Sequence, residues 1–109
     1  MGVLAPEIER KALVGIRVLS KFAPVRAAYV FGSQVDGGAD KWSDIDLAAF
    51  MDDVENWDVL RRADVMAAVM DETDANVEAH LFPSSSFEEP LQGSFAQYIS
   101  KHGVRVEQR

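Results

Sequence analysis

The chain has 109 residues, 48% of them hydrophobic, which is enough for one core but too short for two, so we expect a single domain over residues 1–109. It contains no cysteine, which excludes disulfides and cysteine-ligated zinc sites and favours a cytoplasmic protein. It also has no apolar run that indicates a membrane span or a secretory signal. The net charge of −7 argues against direct binding of nucleic acid.

The first predicted element is an amphipathic helix from Pro6 to about Phe22, after a terminus of five residues that we expect to be disordered. Proline suits the first turn of a helix. Apolar residues at helical spacing form its buried stripe, which consists of Ile8, Ala12, Ile16 and Leu19. Pro24 ends the helix and leads into a buried strand from Val25 or Arg26 to Phe31.

A glycine turn, Gly32-Ser33, interrupts this strand. Glycine lets the backbone turn sharply and approach a ligand closely, and Ser33 is expected to cap a short helical turn. Because the start of a helix offers backbone N–H groups and a partial positive charge, a phosphate fits there. A glycine-rich loop follows, in which Lys41 is a candidate for a positive contact with that phosphate.

Two carboxylates lie on the next predicted strand, which extends from about Ser43 to Met51. Asp44 and Asp46 are two residues apart, so we expect their side chains to share one face. Such carboxylates repel each other unless a cation lies between them, and oxygen ligands favour Mg²⁺ with substrate phosphates completing its coordination. Together with the glycine turn, the pair predicts phosphoryl or nucleotidyl transfer.

The rest of the chain predicts two longer helices, a third strand and a brief final strand. The helix from about Glu55 to Met70 should bury Val59 or Leu60, Ala63, Met66, Ala67 and Met70. The strand over residues 75–82 places Glu78 and His80 on one face. A short helix from Ser84, a helix from about Gly93 to Lys101 anchored by Phe95, Tyr98 and Ile99, and a strand over residues 104–106 follow. This order predicts an α/β (α+β) fold, with helices packed on one mixed sheet of about four strands.

The spacing of Gly32-Ser33, ten intervening residues and then Asp44-x-Asp46 resembles the signature of the DNA polymerase β-like nucleotidyltransferase superfamily. The short length is similar to its minimal nucleotidyltransferase branch, the antitoxin-type proteins often paired with HEPN-domain toxins. The resemblance implies the polymerase β-like fold. It also implies that Gly32 and Ser33, with Lys41 as a further candidate, bind the phosphates of ATP, while Asp44 and Asp46 bind Mg²⁺, as two ions.

A third carboxylate joins the metal site in this superfamily, on a strand that neighbours the aspartate pair. Glu78 occupies the matching place, and Asp74 is the alternative. The implied set for catalysis and metal binding is therefore Asp44, Asp46 and Glu78. His80 is a weaker candidate for contact with substrate.

The resemblance implies a protein adenylyltransferase that transfers AMP from ATP to a tyrosine of a partner HEPN toxin. Such a protein would be the antitoxin of a type VII-like toxin–antitoxin pair and would form a hetero-oligomer. Family members usually carry a basic residue soon after Gly-Ser, where this chain has Val35-Asp36-Gly37. One alternative is therefore a degenerate domain that neutralises its partner by contact alone. The other is transfer to a small molecule of aminoglycoside type, against which the short chain argues.

Overall fold

Four strands form one mixed sheet in the computed structural model, which describes residues 4–38, 44–74 and 76–107. The strands in this part of the chain are β1 (Val25–Phe31), β2 (Ile45–Met51), β3 (Val77–Pro83) and β4 (Val104–Arg105). The helices are α1 (Pro6–Leu19), α2 (Ser33–Asp36), α3 (Val59–Glu72), α4 (Ser85–Glu88) and α5 (Phe95–His102), with a 3-10 turn at Val54–Asn56. The predicted α/β fold with a four-stranded mixed sheet is confirmed.

The order of the strands across the sheet is β3-β2-β1-β4. Strand β1 is antiparallel to both β2 and β4, whereas β2 and β3 are parallel. Parallel neighbours need a long connection, which α3 supplies between β2 and β3. In this register Asp46 lies opposite Phe31 on one side and opposite Glu78 on the other.

The two faces of the sheet carry separate hydrophobic clusters, because side chains alternate along each strand. Helices α1 and α3 cover the first face, where Ile16, Leu47 and Val69 are among the fully buried residues. Helix α5 covers the second face, where Ile99 packs against a cluster that includes Phe50. Asp46, Glu78 and His80 belong by alternation to this second face.

The predicted apolar face of α3 is wrong. The helix begins at Val59 because the Asp58 carboxylate caps it, accepting the backbone N–H of Arg61 at 2.8 Å. Val65 and Val69 are fully buried. Val59 and Leu60, in contrast, are 79% and 76% exposed, and the other predicted members Ala63, Ala67 and Met70 are exposed as well, with only Met66 partly buried.

Three smaller expectations also differ from the structure. Helix α1 ends at Leu19, three residues before Phe22, and the chain continues as a turn. In α5 Ile99 is buried as predicted, but Phe95 and Tyr98 are about half exposed. Leu4 was expected in a disordered terminus and instead lies buried in the first cluster, while residues 1–3 are outside the described part.

Among the described helices, none has the length and apolar composition to cross a bilayer.

Candidate functional site

The backbone turns sharply at Gly32, directly after β1. Its φ of 78° and ψ of −147° lie in a region that is essentially restricted to glycine. A Cβ atom at this position would be only 2.7 Å from Oδ2 of Asp46. The backbone conformation therefore favours glycine, and a Cβ atom here would displace the Asp46 carboxylate, against which the turn lies.

Ser33 is the first residue of α2 rather than its cap. The cap is Gly32, whose carbonyl accepts the N–H groups of Val35 and Asp36, each at 2.9 Å, and no side chain caps this helix. The prediction that Ser33 caps the turn is thus wrong, although the predicted short helical turn is present. The Gln34 side chain donates from Nε2 to the Asp44 carbonyl at 3.4 Å, so α2 contacts the entry to β2.

Asp46 and Glu78 are brought together by the parallel pairing of β2 and β3. They are direct register partners, and side chains of paired residues point to the same face of a sheet. One oxygen of each carboxylate and a ring nitrogen of His80 all lie within 4.8 Å of one another. We call Asp46, Glu78 and His80 the ligand cluster. Asp46 and His80 are half-buried, whereas Glu78 is exposed.

His80 is the member of the ligand cluster that the sequence indicates only weakly. Its Nε2 is 3.1 Å from Oδ1 of Asp46. The imidazole also packs edge-on against Phe31, with 5.0 Å between ring centroids. The signal in the sequence was its position two residues after Glu78, which gives both side chains the same face of β3.

The other predicted site residues lie outside the ligand cluster. Asp44 directly precedes the first residue of β2, is exposed and is not one of the three residues whose ligand atoms lie together. Asp74, the alternative third carboxylate, lies in the turn before β3 with a φ of 55° and is exposed. Lys41 falls among residues 39–43, outside the described part of the chain.

The ligand cluster fits a divalent cation. Two donors bound to one octahedral ion at about 2.1 Å are at most about 4.2 Å apart, close to the 4.8 Å limit within which the cluster lies. Two carboxylates and an imidazole are all groups that bind divalent metals in proteins. Small rotations of these side chains would therefore bring the three donors onto one ion.

Comparison with known proteins identifies the family and supports the fold. The family profile described as "Polymerase beta, Nucleotidyltransferase" matches residues 16–105. A crystal structure of a toxin-antitoxin with AMP-PNP has a similar fold, with a TM-score of 0.64 and 22% identity over 93% of this chain and 73% of that chain. A candidate nucleotidyltransferase from Sulfolobus solfataricus is similar at a TM-score of 0.63 and 19% identity, over 94% of this chain and 82% of that chain. No curated protein matches the chain.

The family profile covers most of the chain, including the glycine turn and all three members of the ligand cluster. The two solved structures are less than 25% identical to it and support the fold alone. The order of the strands and the position of Gly32 beside Asp46 agree with the spacing of glycine and carboxylates in the sequence. The chain therefore belongs to the polymerase β nucleotidyltransferase family.

Proposed function

We propose that the protein transfers AMP from ATP to a tyrosine hydroxyl of a HEPN-type toxin and thereby acts as the antitoxin of a pair. The observation that carries this proposal is the contact between Gly32 and the Asp46 carboxylate. Gly32 lies so close to Asp46 that a phosphate bound at the turn would be next to the ligand cluster. The choice of an adenine nucleotide and of a toxin as partner is suggested by a neighbour in fold, a toxin-antitoxin crystallised with AMP-PNP.

The proposed roles follow from the positions of the residues. Gly32 and Ser33 would hold the terminal phosphates of ATP, with Lys41 as a further candidate. Asp46 and Glu78, with Asp44 at the entry to β2, would hold the metal, expected as two Mg²⁺ ions. Such ions neutralise the negative charge on the phosphates.

The transfer itself depends on positioning and electrostatics. The acceptor hydroxyl attacks the α-phosphorus, the bond to the bridging oxygen of the β-phosphate breaks, and pyrophosphate leaves. Glu78 is exposed at the edge of the ligand cluster, where it could take the proton of the hydroxyl. A second protein is proposed as the source of the acceptor because a neighbour in fold is a toxin-antitoxin.

The test combines the protein with ATP, Mg²⁺ and the product of the adjacent reading frame. Mass spectrometry should show the neighbour with one added AMP on a tyrosine. Asp46→Asn should slow formation of the adduct by about 100-fold or more. Asp64→Asn removes an exposed carboxylate of α3 and should leave the rate unchanged.

A binding role without transfer is the second candidate. Asp36 places a negative charge at the end of α2, where family members usually carry a basic residue, and a negative charge repels a triphosphate. In that case the wild-type protein would form a complex with its neighbour but no adduct. Neither Asp44→Asn nor Asp46→Asn would then change the stability of the complex.

A further inference from the structure

His80 is the one member of the ligand cluster that is not a carboxylate. It lies on β3 two residues beyond Glu78 and is half-buried on the same face. Its Nε2 is 3.1 Å from Oδ1 of Asp46, and the same ring offers a donor within 4.8 Å of the Glu78 carboxylate. An imidazole nitrogen therefore lies within 4.8 Å of both carboxylates, close enough for all three side chains to reach one ion.

Aromatic contacts hold the imidazole in this orientation. The Phe31 ring meets it edge-on at 5.0 Å with an interplanar angle of 66°. Phe95 in turn packs edge-on against Phe31 at 5.4 Å. Because these rings restrict His80 before any ion arrives, little side-chain entropy is lost when its nitrogen becomes a ligand.

We propose that His80 is a direct metal ligand through Nε2 and that it gives the site a preference for first-row transition ions over Mg²⁺. Mg²⁺ binds oxygen donors, whereas imidazole suits transition ions, whose affinities rise from Mn²⁺ toward Cu²⁺. One nitrogen added to two carboxylates raises the affinity for a transition ion and adds little to the affinity for Mg²⁺. The inference deepens the proposed function, on whose metal site it rests.

The position of Nε2 is also compatible with a second role for His80, as a hydrogen-bond donor to Asp46. A nitrogen that donates a hydrogen bond to Asp46 orients that carboxylate and cannot coordinate the ion at the same time. Ligation requires the neutral ring with its proton on Nδ1, so that Nε2 presents a lone pair to the ion. The two roles differ in whether the bound metal is bonded to nitrogen, which spectroscopy measures directly.

The experiment uses the full-length protein without a histidine tag, loaded with Co²⁺ in the absence of nucleotide. A coordinated imidazole gives one strongly shifted, solvent-exchangeable N–H resonance in the proton spectrum of the Co²⁺ protein. We expect this resonance in the wild type. The chain has two histidines, so His102→Asn is a matched control: it removes an exposed histidine of α5 and should retain the resonance.

His80→Asn should lose the shifted resonance. It should also weaken Co²⁺ binding by about 10-fold or more, while Mg²⁺ binding, measured by competition, changes by less than about 3-fold. Circular dichroism checks that the variant is folded. The wild-type spectrum needs no variant at all, so the inference is testable even if His80→Asn does not fold.

Two results would overturn the inference. One is Co²⁺-loaded wild type without a shifted N–H resonance, and the other is an equal loss of Co²⁺ and Mg²⁺ affinity in His80→Asn. If the wild type still adds AMP to its neighbour, the proposed function stands although His80 is not a ligand. If the resonance is present and no adduct forms, His80 is a ligand and the transferase proposal fails.

Discussion

Gly32 and Asp46 are in such close contact that a methyl group on the glycine would lie 2.7 Å from Oδ2 of the aspartate. Gly32 directly follows β1 and Asp46 lies on β2, and the two residues are fourteen positions apart in the sequence. Their contact links the turn that we propose binds phosphate to a carboxylate that we propose binds metal. A mutation of the glycine should therefore have two effects. It should strain the backbone, and it should displace the Asp46 carboxylate.

Gly32→Ala should lower the free energy of unfolding by about 1–3 kcal/mol, because alanine is strained at its backbone angles. It should also push Asp46 out of the ligand cluster and weaken metal binding. Gly37→Ala is the matched control, since Gly37 has a φ of 87° and nothing lies within 4 Å of its added Cβ. The control should lose about 1 kcal/mol of stability and retain its metal affinity. Urea denaturation and metal titration give the two readouts, and equal metal affinities in both variants would contradict the proposed contact.

Asp46→Asn and Asp44→Asn should differ in their effects on metal binding without nucleotide. Asp46 belongs to the ligand cluster, whereas Asp44 is exposed before β2 and outside it. We expect Asp46→Asn to weaken Mn²⁺ binding by about 10-fold or more, and Asp44→Asn to cause a clearly smaller loss. Electron paramagnetic resonance of free Mn²⁺ measures both. A larger loss in Asp44→Asn would mean that the ion is held at the entry to β2 instead.

The ion pair between Arg26 and Asp52 should make stability depend on pH. The Arg26 guanidinium, with Nη2 2.8 Å from Asp52 Oδ2, lowers the pKa of that carboxyl, and the Ser84 hydroxyl donates to the same group and lowers it further. A lowered pKa in the folded state means that this stabilisation is present above the unfolded pKa of about 3.9 and is lost as the pH falls through the folded value.

Arg26→Met should therefore be less stable than the wild type at pH 7 and at pH 5, and the difference should shrink below about pH 4. Both partners are partly exposed, so we expect a small effect. Urea denaturation at several pH values measures it. Arg17→Met removes an exposed arginine of α1 and controls for the loss of one positive charge. A difference that stays constant down to pH 3 would count against the pair.

The buried face of α3 can be tested with two valines of the same helix. Val69 is fully buried and Val59 is 79% exposed. Val69→Ala should lower the free energy of unfolding by about 2 kcal/mol, because it leaves a cavity where α3 packs against α1. Val59→Ala should change it by less than about 0.5 kcal/mol. Thermal or urea denaturation measures both losses. A larger loss in Val59→Ala than in Val69→Ala would mean that α3 buries the face predicted from the sequence.

Much of the fold was predictable because its signals are local. Pro24 and the glycine turn mark the two ends of β1. The alternation of Val77, Ala79 and Leu81 with polar residues predicted the face of β3 that carries Glu78. These patterns depend on the pleat of a strand, which neighbouring residues are enough to reveal.

The face of α3 was not predictable, because this helix has apolar residues on more than one side. Its buried side is selected by tertiary packing: Val69 Cγ1 lies 3.5 Å from where a Cβ of Gly15 would be, so the two helices meet at a glycine. The contact of His80 with Asp46 was not predictable for a related reason. Its contact with Asp46 requires the parallel register of β2 and β3, which the sequence of β3 alone does not specify.

The direct pairing of Asp46 with Glu78 has a consequence for how the chain reaches its final structure. A slip of β3 by a single residue would turn Glu78 and His80 toward the face covered by α1 and α3 and leave Asp46 without either of them. A divalent ion can therefore bind tightly only to chains in which these two strands are correctly aligned. Added metal should raise the yield of refolded protein, because it draws misaligned chains toward the one arrangement that captures it.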